Sequence, residues 1–128
     1  MEEDKDLIQM GRMILRQSDL EIPVTYKGEV FTLKYPSPSM SAAIEAEIAR
    51  RLGGYPRSSF AFDHIAHVEA CVIIDFTIIP SKSPKWFTSV WNCYDESLIA
   101  ELYSGYHSFR QSFQERIRSG GFEEGSKK

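Results

Sequence analysis

The chain has 128 residues, 42% of them hydrophobic and 12% aromatic, which is enough apolar material for one compact domain and too little length for two. Lys and Arg total 15 against 18 Asp and Glu, so the net charge of -3 leaves no positive excess to hold a nucleic-acid backbone. No apolar run approaches the roughly 18 residues of a membrane span, the opening residues 1–6 are acidic, and no signal peptide is evident. The expectation is one cytosolic domain with neither nucleic acid nor membrane as partner, in which Cys71 and Cys93 are reduced thiols.

Residues 7–16 place apolar side chains at near-helical spacing and predict a short N-terminal helix, weakened by Gly11, within a segment 1–21 ahead of the main domain. The next stretch alternates with period two. Ile22, Val24 and Tyr26 precede Lys27-Gly28, and Phe31, Leu33 and Tyr35 follow it. A two-residue turn there sets Tyr26 opposite Glu29, Val24 opposite Phe31 and Ile22 opposite Leu33, with the large apolar groups on one face. A three-residue turn with a bulge at Gly28 is the alternative. Two strands alone are marginal, so helices must cover the hairpin of residues 22–35.

Ser37 before Pro38 reads as an N-cap followed by proline at the first helical position. Met40, Ile44, Ile48 and Leu52 recur every fourth residue along a helix of about 38–52, with Glu47 in reach of Arg50 or Arg51, and Gly53-Gly54 stops it. A nearly continuous apolar segment predicts a second helix over about 60–76 with an extended exit rich in β-branched residues. After the loop at residues 80–84 come Trp86, Phe87 and Trp91. The last helix, about 95–118, is capped by Asp95 and carries the stripe Leu98, Leu102, Tyr106, Phe109, Phe113 and Ile117. Gly120-Gly121 ends it, and residues 119–128 are expected to be a flexible tail. The fold class is therefore α+β, mainly α, with an N-terminal β-hairpin packed on a small bundle of three to four helices, and residues 22–118 form the globular domain.

Catalytic chemistry finds little support. His64, His67 and Cys71 at offsets of three and four share a helical face and, with Cys93, could surround zinc, but structural zinc sites usually draw ligand pairs from separate turns. A Cys-His nucleophile lacks a third orienting group, no lysine-bearing glycine loop follows a strand, and the carboxylates Asp63, Glu69, Asp75, Asp95 and Glu96 show no acid and base pairing. The chain reads as a non-enzyme without cofactor or metal. Three large rings close together after a proline-bounded loop are candidates for partner contact, so Trp86, Phe87 and Trp91 are singled out, with Tyr103 off the main stripe of the last helix as a fourth. The competing reading is that these rings plug the end of the core.

The run Tyr26-Lys27-Gly28-Glu29-Val30-Phe31-Thr32-Leu33 leads to Pro36-Ser37-Pro38, and an alanine-rich helix closes in Gly53-Gly54-Tyr55-Pro56. Then come a hydrophobic segment ending near Asp75, the element Pro84-Lys85-Trp86-Phe87, and a helix from Leu98 through Tyr103 to Phe113. Over residues 22–118 this arrangement resembles the tail assembly chaperones of long-tailed bacteriophages. The resemblance implies a non-enzymatic protein of the host cell cytoplasm that binds the tape-measure protein and helps recruit tail-tube subunits around it. It also implies a longer form of the chain made by ribosomal frameshifting near Lys127-Lys128. A structural tail or baseplate component of the virion, and a small zinc-stabilised regulatory or adaptor domain, are the alternatives.

Overall fold

The computed structural model describes residues 7–10, 13–120 and 123–124. The fold is α+β and mainly helical. Its strands are β1 (Leu7–Met10), β2 (Met13–Arg16), β3 (Glu21–Tyr26), β4 (Glu29–Lys34) and β5 (Glu123–Glu124), and its helices α1 (Pro38–Arg51), α2 (Phe62–Thr77) and α3 (Glu96–Ser119). No helix among the described residues is long and apolar enough to cross a membrane.

The β3–β4 hairpin adopts the register set by the alternation, with Ile22 opposite Leu33, Val24 opposite Phe31 and Tyr26 opposite Glu29. Lys27 and Gly28 both take positive φ, 50° and 81°, as a two-residue turn matched to strand twist requires, so no bulge is needed. Ile22, Val24, Phe31 and Leu33 are buried against the helices. The outer edge of β4 is partly covered too. Ile78, the extended residue that ends α2, bridges to Leu33, the Ile79 N–H donates to the Thr32 carbonyl at 2.9 Å, and the Thr32 N–H donates to Ser83 Oγ at 3.1 Å. Thr32 thus turns its backbone groups away from β3. Pro23 stands opposite Thr32, in a pair that exchanges no ladder bonds, and its missing N–H leaves the hairpin intact.

The helices follow their caps. Ser37 Oγ accepts from the Met40 N–H at 3.2 Å with Pro38 as the first residue of α1, and Asp95 accepts from the Ser97 and Leu98 N–H groups at 3.1 and 3.2 Å. Asp95 also accepts a 2.9 Å bond from the Tyr26 hydroxyl, which ties the cap of α3 to the hairpin. Gly120 closes α3 in the left-handed conformation. The main core joins the hairpin's inner face to Ile44 and Ile48 of α1 and Leu52 at its end, to Val68 and residues 70–74 of α2, and to Leu98, Leu102 and Tyr106 of α3, with Phe87 and Val90 at one end.

Two expectations are corrected. Of the helix expected over residues 7–16, Leu7–Met10 and Met13–Arg16 instead form the antiparallel strands β1 and β2, in which Ile8 pairs with Leu15 and Leu7 with Arg16. A helix over this stretch would have carried Gly11 in its interior at a cost of about 1 kcal/mol, and ten residues are few for a helix to stand on propensity alone. The flexible tail is contradicted at Glu123–Glu124, whose backbone pairs with Ile14 and Met13. Once β1 and β2 form, the outer side of β2 offers hydrogen-bonding groups that a strand of any side-chain chemistry can fill. The rest of the tail expectation, residues 121–122 and 125–128, lies outside the described residues, as does Gly121 of the helix stop.

Candidate functional site: an apolar groove and an exposed tryptophan

Helix lengths create a broad concavity. At 1.5 Å per residue the 24 residues of α3 span roughly 36 Å, while the 16 of α2 span roughly 24 Å. The last third of α3 therefore overhangs the main core, and its apolar stripe needs another cover. The N-terminal strands supply part of it: Leu15 and Phe113 are the buried centre of a second cluster, with Ile8, Leu20, Tyr35, Phe109 and Ile117 packed around them. The Tyr35 ring packs tilted against Phe113 with centroids 4.5 Å apart, and its hydroxyl accepts a 2.6 Å bond from Gln114.

This second cluster is not sealed. A half-open groove of about 770 Å³ runs between β1–β2, the junction of β4 with α1, and the end of α3. Its floor includes Ile8, Leu15, Tyr35, Phe113 and Ile117, and two cations, Lys34 and Arg110, stand among its lining residues. Arg110 lies 5.3 Å from the centre of the Tyr35 ring and donates to the Tyr106 hydroxyl at 3.4 Å. Among the described residues, neither Lys34 nor Arg110 has a carboxylate partner, and no Asp or Glu lines the groove.

The four residues singled out from the sequence do not form one surface. Trp86 is 58% exposed, with its indole N–H donating to both Glu29 carboxylate oxygens at 3.1 and 3.0 Å. Its ring stands edge-on to Phe31 at 5.8 Å and to Phe87 at 6.0 Å. Phe87, at 8% exposure, belongs to the core, so a partner on this face would meet Trp86 with Phe87 behind it. Trp91 has a different neighbour: the Arg51 guanidinium lies 3.6 Å over its ring, and its buried Nε1 has no hydrogen-bond partner among the described residues. Tyr103, half-buried on α3, stands edge-on to His107 at 4.4 Å. The groove residues were missed by sequence reasoning. Their signal was present in the reach of the α3 stripe to Phe113 and Ile117, beyond what helices as short as α1 and α2 can cover.

The histidine and cysteine group is dispersed. His67 Nε2 is 3.7 Å from the Cys71 sulfur, but His64 packs its ring on Phe60 instead. The Cys93 thiol donates to the Asp95 carbonyl at 3.6 Å. Burial pushes the Cys71 thiol up to about 11, so it is protonated at neutral pH and a poor nucleophile. Among the described residues no group of three His, Cys, Asp or Glu side chains is placed to hold a metal ion. Both cysteines are free thiols.

No family model, curated protein or solved structure matches this chain.

Proposed function

We propose that this protein is a non-enzymatic assembly chaperone of a long-tailed bacteriophage, which binds the tape-measure protein in the host cell cytoplasm and helps recruit tail-tube subunits. The observation that carries this reading is the half-open groove of about 770 Å³ with its apolar floor. A long helical protein awaiting assembly exposes apolar stripes, and covering them calls for an open trough rather than an enclosed pocket. The resemblance of residues 22–118 to tail assembly chaperones supports the same reading. Exposed Trp86 offers a second contact, because a large ring held by Glu29 loses little conformational freedom when a partner arrives.

Co-expression with the tape-measure protein tests it. The wild-type chain should co-purify, and Ile117→Glu, a charge placed in the groove, should abolish co-purification while far-UV circular dichroism stays unchanged. Co-purification of the folded Ile117→Glu and Trp86→Ala variants at wild-type yield would remove both contact sites. Stoichiometric presence of the chain in purified virions would overturn the chaperone in favour of a structural tail or baseplate component.

A further inference from the structure

The charges around the groove say which helices it takes. Lys34 is exposed and Arg110 half-buried; one comes from the end of β4, the other from α3, and neither is neutralised by a carboxylate among the described residues. Five cations elsewhere in the chain are paired, Arg50 and Arg51 with Glu47, Arg57 with Glu45 and Glu69, Lys82 with Glu21, and Arg118 with Glu115, whereas Lys34 and Arg110 share one concavity without such a partner among the described residues. In a chain of net charge -3, a concavity lined by two cations and, among the described residues, no acid departs from the average surface. The first turn of α1, which opens on the same groove, also carries no carboxylate.

We infer that the groove binds an amphipathic helix whose apolar stripe is flanked by glutamate or aspartate, and that Lys34 and Arg110 select the acidic flank. The apolar floor receives the stripe, and the two cations meet the carboxylates at its border, where they steer approach and disfavour basic helices. A small molecule fits less well, because a trough open along one side leaves much of a small ligand in water, whereas such sites usually enclose most of it. The inference deepens the chaperone reading and rests on it only in taking a helix as occupant.

The test uses the full chain and two fluorescein-labelled helical peptides of about 18 residues, long enough to hold helix in water. They share one leucine stripe; one is flanked by glutamate, the other by lysine. Fluorescence anisotropy at low salt should show the glutamate peptide binding about threefold to tenfold tighter, the scale of two exposed ion pairs, with the gap closing in molar sodium chloride. Lys34→Glu, at an exposed position, should shrink the preference, and Lys34→Glu with Arg110→Gln should erase or reverse it, with circular dichroism confirming the fold. Equal affinities at low salt, or a preference undiminished in the double variant, overturn the inference. So does saturable binding of dodecanoate with no binding of either peptide, which would make the groove a lipid site. A dimer of the chain that Lys34→Glu dissociates and neither peptide displaces would overturn it in favour of a second copy. Tape-measure co-purification without peptide discrimination sinks this inference and leaves the chaperone; discrimination without co-purification does the reverse.

Discussion

A methyl group placed on Gly105 would lie 2.7 Å from Val24 Cγ2, closer than two carbon atoms approach without displacement. The glycine thus lets α3 pack directly on β3, at a point where Val24 is buried and its branched side chain has little freedom to turn. In an open helix Gly105→Ala would gain about 1 kcal/mol of helix propensity, but overpacking a core contact costs about 1–3 kcal/mol. Net destabilisation of about 1 kcal/mol is expected in urea unfolding. In a Val24→Ala background the clash disappears and the same substitution should become neutral or stabilising. A destabilisation of equal size in both backgrounds would show that the two residues are not coupled.

The adjacent rings Trp86 and Phe87 should separate on alanine substitution. Phe87→Ala empties a buried site beside Phe31 and should lose about 3–5 kcal/mol. Trp86→Ala removes a largely exposed ring and should lose about 1 kcal/mol. Chemical denaturation of both variants measures the contrast, and similar losses would place Trp86 in the core.

Acid should weaken the fold through Glu47. Hydrogen bonds from Arg50 and Arg51 hold its carboxyl down to about 2, against an ordinary value near 4.5. A folded-state value below the unfolded one means stability that is complete above about pH 5 and is lost as pH falls toward 2. Thermal melts across that window should show Glu47→Gln less stable than wild type at neutral pH, with the two curves converging near pH 2. Parallel curves would show that Glu47 contributes nothing through its charge.

The thiols should differ in reactivity. Cys71 is buried and held protonated, while Cys93 is partly accessible. Titration of the native protein with a disulfide reagent should modify Cys93 first and reach Cys71 only under denaturant. Cys71→Ser should leave the fast phase intact and Cys93→Ser should remove it.

The hairpin was legible residue by residue, because strict alternation on either side of Lys27-Gly28 admits one register that buries Ile22, Val24, Phe31 and Leu33 together. The helices were legible from caps and stripes: Ser37-Pro38, Asp95, and the fourfold spacing of Ile44, Ile48 and Leu52. The N-terminal strands were not. Ile8 and Leu15 fit either period over so short a run, and what decides is their pairing with each other and their packing near Phe113, which no local pattern records. The candidate site was legible only at Trp86. Closeness in sequence put Trp91 in the same group, yet the irregular chain between them turns it to Arg51. The groove arises between segments separated by most of the chain, and only the length of α3 hinted at it.

The backbone at Thr32 also bears on how the protein behaves when crowded. A two-stranded ribbon normally offers a fresh row of donors and acceptors on either side, and a neighbouring molecule can add a strand there and begin a fibre. Here the Thr32 side is already taken by Ser83 and Ile79, and the opposite border carries the Pro23 ring where a donor would stand. The hairpin is therefore interrupted at one position on each border, and concentrated solutions of this protein should resist thioflavin-positive aggregation seeded through it. Ser83→Ala, which withdraws one of those two guards without disturbing the apolar face, is the substitution that would expose the ribbon to its neighbours.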